Sequence, residues 1–214
     1  MIRIGVLDFE EAWRLQQELW RSRREKKTDD ILLLLQHPPT VTLGRRGNEK
    51  NLLIDKAELQ RKGIGFFLTD RGGDITYHGP GQLIGYPVVS LKDNGLSGGV
   101  FMKLLEEVII LTLKELEIEA TRMLRRIGLW VNGKKIASLG TRIRSGITTH
   151  GFALNINNDL RPFQHINPCG IKGLKVTSLM EILGKKADYG FIEERISINF
   201  SRVFRMIITE VSNL

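Results

Sequence analysis

Leu129-Trp130-Val131-Asn132-Gly133-Lys134-Lys135-Ile136-Ala137-Ser138-Leu139 reads as two short strands joined by a two-residue turn. Asn-Gly supplies both positive-φ positions of a type I′ turn, whose twist suits an antiparallel pair. That hairpin sets the character of the sheet, and the chain around it agrees. Thr148 to Ile156 alternates as a strand; Ile31 to Gln36 and Val41 to Leu43 read as strands on either side of His37-Pro38-Pro39, and Ile64 to Thr69 as another. Phe9, Ala12, Trp13, Gln16, Leu19 and Trp20 fall at helical spacing after Asp8, which predicts a helix from Asp8 to Lys26. Asp55 followed by Glu58 is a capping-box pattern, and Gly63 ends that short helix. Gly98 to Glu117 places Phe101, Leu104, Leu105, Val108, Ile109 and Thr112 on one face. A short helix near Ser178 to Leu183 and a longer amphipathic one from Phe191 to Ile208 close the chain. Strands and helices mix without regular βαβ alternation. The predicted class is therefore α+β, a mixed, mostly antiparallel sheet flanked by helices.

The 214 residues show no internal repeat, low-complexity tract or linker, so one domain over 1–214 is expected. Apolar residues make up 42% and charged residues 26%, which excludes a disordered chain. The longest apolar runs, Ile31 to Leu35 and Val108 to Leu111, are far too short to span a membrane. The N-terminus leads straight into a strand-like segment with no signal-peptide pattern, which makes the cytoplasm the expected address. Net charge is +8. The basic residues are scattered, with clusters at Arg21 to Lys27, Arg45 to Arg46, Arg122 to Arg126 and Arg142 to Arg144. Charge alone favours a solvated basic surface over any specific partner.

Cys169 is the chain's single cysteine, so no intramolecular disulfide and no cysteine-based zinc or iron–sulfur site can form. It stands in Asn167-Pro168-Cys169-Gly170-Ile171, where proline fixes one backbone dihedral and glycine frees the next. Such a turn would hold a thiol at an exposed corner rather than inside an apolar element. A nucleophilic thiol needs a helper at neutral pH, because only a few per cent of a free one is thiolate. The candidates are His78, His150, His165 or a lysine of the hairpin. On spacing alone, Lys134 and Lys135 serve equally well, and both read more simply as solvated residues beside a turn. The four histidines lack metal-ligand spacing, and no metal is expected. The segment 71–99 holds eight of the chain's 22 glycines. Its opening, Arg71-Gly72-Gly73-Asp74-Ile75-Thr76-Tyr77-His78-Gly79-Pro80-Gly81-Gln82, suits either a structural hairpin or a backbone laid against a ligand.

Four segments together resemble the octanoyltransferase family, also called lipoyl(octanoyl) transferases or lipoate–protein ligase B. They are RGGDITYHGPGQLIGYPVVSL (71–91), KIASLGTR (135–142), HGFALNI (150–156) and FQHINPCGI (163–171). Length and motif order match as well. The resemblance implies the fold of the biotin and lipoate protein ligases and transfer of an octanoyl group from acyl carrier protein to a lysine of a lipoyl domain, the first step of endogenous protein lipoylation. The implied acceptors are the lipoyl domains of 2-oxoacid dehydrogenase E2 subunits and the glycine cleavage H protein. Cys169 falls on the family's acyl-thioester nucleophile, and Lys135 on the residue that lowers the thiol's pKa and handles protons. Arg71, Gly72, Gly73, Asp74, Ile75, Thr76, Tyr77, His78, Ser138, Leu139, Gly140, Gly151, Phe152 and Ala153 fall on the acyl-substrate site. No cofactor, neither metal nor ATP, is implied. Ile75, Tyr77 and Phe152 are the expected apolar walls of the acyl slot. Backbone amides near Leu139, Gly140 or Gly170 are expected to hold the oxyanion.

Two other readings compete. An ATP-dependent lipoate or biotin protein ligase of the same fold would activate its acid as an adenylate and need no cysteine. A basic nucleic-acid-binding domain is suggested by the charge, but aromatics do not interleave with the basic residues and no recognition motif appears, so neither nucleic acid nor membrane is the expected partner.

Overall fold

A computed structural model describes residues 1–124 and 126–210; Arg125, inside the basic cluster at 122–126, lies outside the described residues. In chain order the elements are β1 (Ile2–Val6), α1 (Phe9–Arg24), β2 (Ile31–Gln36), β3 (Thr40–Leu43), α2 (Lys56–Arg61), β4 (Gly65–Leu68), β5 (Ile75–His78) and β6 (Gln82–Val88). There follow α3 (Gly98–Lys114), β7 (Thr121–Met123), β8 (Arg126–Val131), β9 (Lys134–Arg144), β10 (Ile147–Asn155), α4 (Leu179–Leu183) and α5 (Tyr189–Phe204). The larger sheet has the order β1-β2-β6-β10-β9-β8-β7 and is antiparallel except where β1 runs parallel to β2. The smaller has the order β4-β3-β5, with β3 parallel to β4 and antiparallel to β5. This is the expected α+β class with a mixed, mostly antiparallel sheet.

The unbroken apolar run of β2 is explained by burial on both sides. Leu32 and Leu34 join the core under α3 and α5, with Phe101, Leu105, Ile109, Ile196 and Phe200. Leu33 and Leu35 face α1, against Ala12, Leu19 and Trp20. Burying each of these leucines is worth about 2 kcal/mol. A third core fills the smaller sheet with Val41, Leu59, Ile75, Tyr77 and Phe163.

The Asn132-Gly133 turn is present, both residues at positive φ (49° and 73°), and it joins β8 to β9. A second two-residue turn, Ser145-Gly146 (φ 51° and 76°), extends β9 to Arg144 and folds it onto β10. The expected loop or hairpin at 71–99 resolves differently. Strands β5 and β6 stand only three residues apart, yet β5 pairs with β3 in the smaller sheet and β6 with β2 and β10 in the larger. Gly79-Pro80-Gly81 is thus the point where the chain changes sheets.

Three helices are shorter than the periodicity predicts, ending at Arg24, Lys114 and Phe204. Lys26, Glu117 and Arg205 stop them in left-handed conformations (φ 56°, 60° and 56°). Glycine usually marks such a stop, and here none does.

Candidate active site

Lys135 enters β9 immediately after the Asn-Gly turn, and its side chain is held by the strand next to it. Between Leu129↔Ala137 and Trp130↔Lys135 the β8–β9 register slips, leaving Ile136 as the extra residue of a bulge. The Lys135 backbone donates to Lys175 O (2.8 Å) and accepts from Thr177 N (2.9 Å), which pins the residue from its other side. Its ammonium is buried. Nζ donates to Ile127 O at 3.0 Å, stands 5.1 Å from the Trp130 ring centroid and reaches Cys169 Sγ at 2.9 Å. Among the described residues no carboxylate lies within 4.0 Å of this Nζ. Cys169 is therefore the ionisable side chain in contact with this nitrogen. Lys134, equally eligible by spacing, points out to Glu181 at 3.8 Å.

Cys169 sits on a turn of 3-10 helix, Pro168–Gly170, in a left-handed conformation (φ 58°, ψ 20°). Two asparagines and an aspartate hold the turn. Asn167 N donates to Asn51 O (2.7 Å), and Asn51 Nδ2 donates to Asp74 Oδ2 (2.9 Å). Asp74 Oδ1 accepts from the amide of Ile75 at 2.6 Å. Gly170, at φ 73°, lies so close to Asp74 that a Cβ there would stand 2.7 Å from Oδ2.

A cavity of about 940 Å³ opens beside the thiol. Arg71, Gly72, Gly73, Asp74, Ile75, Thr76, His78, Ser138, Leu139, Gly140, Gly151, Phe152 and Ala153 line it, together with Lys135 and Cys169. The sequence motifs, up to nearly a hundred residues apart, thus share one space. Tyr77 is the exception. Its ring packs into the small core, edge-on to Phe163 at 5.4 Å, so it is not a wall of this cavity. Burial raises its phenol to about 12.

Two backbones meet at the cavity edge. Gly72 N donates to Thr141 O (2.9 Å), and a Cβ on Gly140 would stand 2.6 Å from Gly72 O. Thr141 O therefore faces away from β10, and the two-residue alternation puts the Leu139 amide on that same edge. The Gly140 amide points to β10 instead, and the Gly170 amide is given to Asn167 O at 2.8 Å.

Arg71 is buried with neutral partners. Its Nη2 donates to Thr42 O (2.6 Å) and Thr42 Oγ1 (2.8 Å), and Nη1 to Gly72 O (3.0 Å). Burial lowers its pKa to about 10. None of the three candidate histidines touches the thiol. His78 lies between Gln82 Oε1 (2.9 Å) and Thr42 Oγ1 (3.3 Å), and burial holds its pKa well below the ordinary value. His150 Nε2 donates to Asp70 Oδ1 at 2.7 Å, with burial again lowering the imidazole's pKa. His165 belongs to a separate surface groove with Tyr77 and Arg161. Among the described residues no group of three metal-ligating side chains gathers anywhere.

Sequence reasoning missed several participants. Gly128 (φ 126°) makes room for the Lys135 side chain; a glycine inside a strand pattern is a recognised sign of a bulge or close approach. Asn51, Thr42, Trp130 and the cavity residues Phe9, Tyr86 and Met102 carried no signal of their own.

The family model for the lipoyl protein ligase A/B catalytic domain matches residues 8–201. An octanoyltransferase of Desulforamulus reducens is 43% identical over 203 residues, covering 94% of this chain and 89% of the relative. Among solved structures, lipoate-protein ligase A bound with ATP superposes with a TM-score of 0.81 at 16% identity, over 100% of this chain and 88% of that one. The apo biotin protein ligase of Aquifex aeolicus gives 0.54 at 14% identity, over 96% and 68%.

Proposed function

The chain belongs to the lipoyl protein ligase A/B catalytic family and, within it, to the octanoyltransferases, and from that premise we propose that Cys169 and Lys135 carry an octanoyl group from acyl carrier protein to the lysine of a lipoyl domain through a Cys169 thioester. The observation that carries this reading is the 2.9 Å contact between Lys135 Nζ and Cys169 Sγ at the wall of the cavity.

In the proposed cycle the reacting form of the pair is an ammonium and a thiolate joined by a charge-assisted hydrogen bond. The thiolate attacks the carbonyl of the donor thioester, and the Leu139 amide on the open edge of β9 is the proposed oxyanion donor. Collapse breaks the bond to the donor sulfur, which leaves as a thiol with the proton from Lys135. The thioester on Cys169 then meets the neutral amine of the acceptor lysine. Neutral Lys135 takes the proton that the attacking nitrogen loses, the C–S bond breaks, and the amide departs. Ammonium and thiolate are restored with every proton accounted for. The first half-reaction exchanges thioester for thioester and is nearly balanced; the second forms an amide and runs downhill without ATP. No metal or nucleotide enters either step. The acyl chain lies against Phe9, Ile75, Tyr86, Phe152 and Ala153. In this proposal the reaction is the first step of endogenous protein lipoylation, with the lipoyl domains of 2-oxoacid dehydrogenase E2 subunits and the glycine cleavage H protein as acceptors.

The test is intact-protein mass after mixing wild type and Cys169→Ser with octanoyl-acyl carrier protein in the absence of ATP. One hydroxylamine-labile octanoyl adduct on wild type alone is the expected result. No adduct, with acylation of the lipoyl domain only when octanoate and ATP are supplied, would identify an adenylating ligase instead.

A further inference from the structure

The cavity is larger than its acyl chain requires, and its mouth is charged. An octanoyl group has nine heavy atoms, which at about 30 Å³ apiece fill about 270 Å³. The cavity holds about 940 Å³. Its apolar wall is the buried one, built from Phe9, Ile75, Tyr86, Phe152 and Ala153. The rest of the space receives whatever is joined to the sulfur of the thioester.

Three exposed arginines border that outer space: Arg45 and Arg46 on the loop after β3, and Arg126 at the start of β8. Among the described residues none of the three has a carboxylate within 4.0 Å. Elsewhere on the surface the arginines are often neutralised: Arg23 by Asp30 and Asp93, Arg122 by Glu106 and Glu107, Arg161 by Asp159. The unpaired set flanks the thiol from two directions. Arg45 N donates to Arg71 O (3.0 Å) and Arg46 N to Gly73 O (3.3 Å), which ties their loop to the segment whose Asp74 abuts Gly170. Arg126 directly precedes Ile127, whose carbonyl takes the Lys135 ammonium.

We infer that Arg45, Arg46 and Arg126 form a subsite for the phosphodiester of the donor's thiol-bearing arm, an inference that rests on the thioester-donor reading above. A long flexible arm brings its anion to the mouth while the acyl end sits inside. Guanidinium forks suit phosphate oxygens bidentately and, being exposed and unpaired, have donors to spare. Acidic side chains fixed to a folded carrier stay outside the mouth, whereas the arm's own phosphate enters it.

Two small donors isolate the phosphate: octanoyl-pantetheine and octanoyl-4′-phosphopantetheine, compared by single-turnover acylation of Cys169 in the full-length protein. Wild type is expected to prefer the phosphorylated donor by about tenfold in acylation efficiency, the effect of one charged hydrogen-bonding contact. In Arg45→Gln/Arg46→Gln and in Arg126→Gln the ratio falls toward one, and added salt lowers it in wild type. A wild-type ratio near one, a ratio unchanged by the substitutions, or an effect confined to donors carrying the whole carrier protein would overturn the subsite. The last outcome would assign the arginines to the carrier's acidic surface. If neither donor acylates a thiol that iodoacetamide still alkylates, it is the transferase reading that fails, and the subsite falls with it.

Discussion

A side chain on Gly128 would set its first carbon 2.6 Å from Cε of Lys135 and 3.0 Å from Nζ, so the space one residue leaves empty is the seat of the other's ammonium. The Gly128 amide is itself steadied by Glu106 Oε1 at 3.3 Å, from α3.

Gly128→Ala is accordingly expected to displace Nζ from the sulfur and slow octanoyl transfer to Cys169 by about 100-fold, the scale of losing one acid–base group. Alkylation of the thiol at neutral pH slows with it. Because the new methyl also meets Ala137 O at 2.6 Å, the informative experiment is a double-mutant cycle. In a Lys135→Ala background Gly128→Ala should cost little further activity; a full additional loss would mean that the glycine serves only the strand.

Gly170→Ala acts on the other partner. The position is left-handed at φ 73°, and the added Cβ would press on Asp74 Oδ2 at 2.7 Å and Asn51 Nδ2 at 3.2 Å. The expected stability loss is about 1–3 kcal/mol, with the acylation rate reduced through the shifted turn. Denaturant unfolding and single-turnover acylation measure the two effects separately. Wild-type acylation in a destabilised variant would show that Asn51 and Asp74 are not what places the thiol.

Chain-length preference should respond to Gly85, whose absent side chain accommodates the ring of Phe152. Gly85→Ala pushes that ring toward the acyl slot. The kcat/KM for octanoyl thioesters is expected to fall by tenfold or so more than that for butanoyl thioesters. Equal losses at both lengths would remove Phe152 from the wall of the slot.

The pH dependence of folding follows from His37. Its Nδ1 donates to Leu7 O (2.7 Å), its Nε2 accepts from the Tyr86 hydroxyl (2.8 Å), and burial lowers its pKa to about 4. The unfolded chain takes up a proton near pH 6.5 that the fold refuses until about pH 4. Stability is thus complete above about pH 6.5 and declines as the pH falls, by about 3 kcal/mol before levelling near pH 4. His37→Gln should reduce proton uptake on unfolding at pH 5 by about one proton. An unchanged uptake would place the acid sensitivity on His78 and His150 alone.

Much of this architecture was legible because single residues enforce it. The Asn132-Gly133 turn, the two-faced leucines of β2 and the Asp55 cap on the Glu58 amide each act locally, and local rules find them. The helix ends were overshot because Lys26, Glu117 and Arg205 adopt the left-handed stop without glycine. The sheet change at Gly79-Pro80-Gly81 was illegible, since only the partners β3, β2 and β10 show that β5 and β6 have parted. At the site, the glycine string and the Pro-Cys-Gly turn were visible as unusual backbone. Spacing alone did not choose Lys135 over Lys134, because a contact across 34 residues leaves no periodicity to read; only the family resemblance of KIASLGTR pointed to Lys135.

Lys135 belongs to the larger sheet, whereas the Cys169 turn is fastened through Asn51 and Asp74 to the neighbourhood of the smaller one. On the proposed thioester mechanism neither half can work alone. The 2.9 Å between nitrogen and sulfur is a gauge of how the two sheets are docked, and misplacing reacting groups by an ångström can cost a hundredfold in rate. Transfer activity should consequently vanish early on heating, while both sheets still give a native circular dichroism signal, which makes turnover a more sensitive thermometer of this fold than its spectrum.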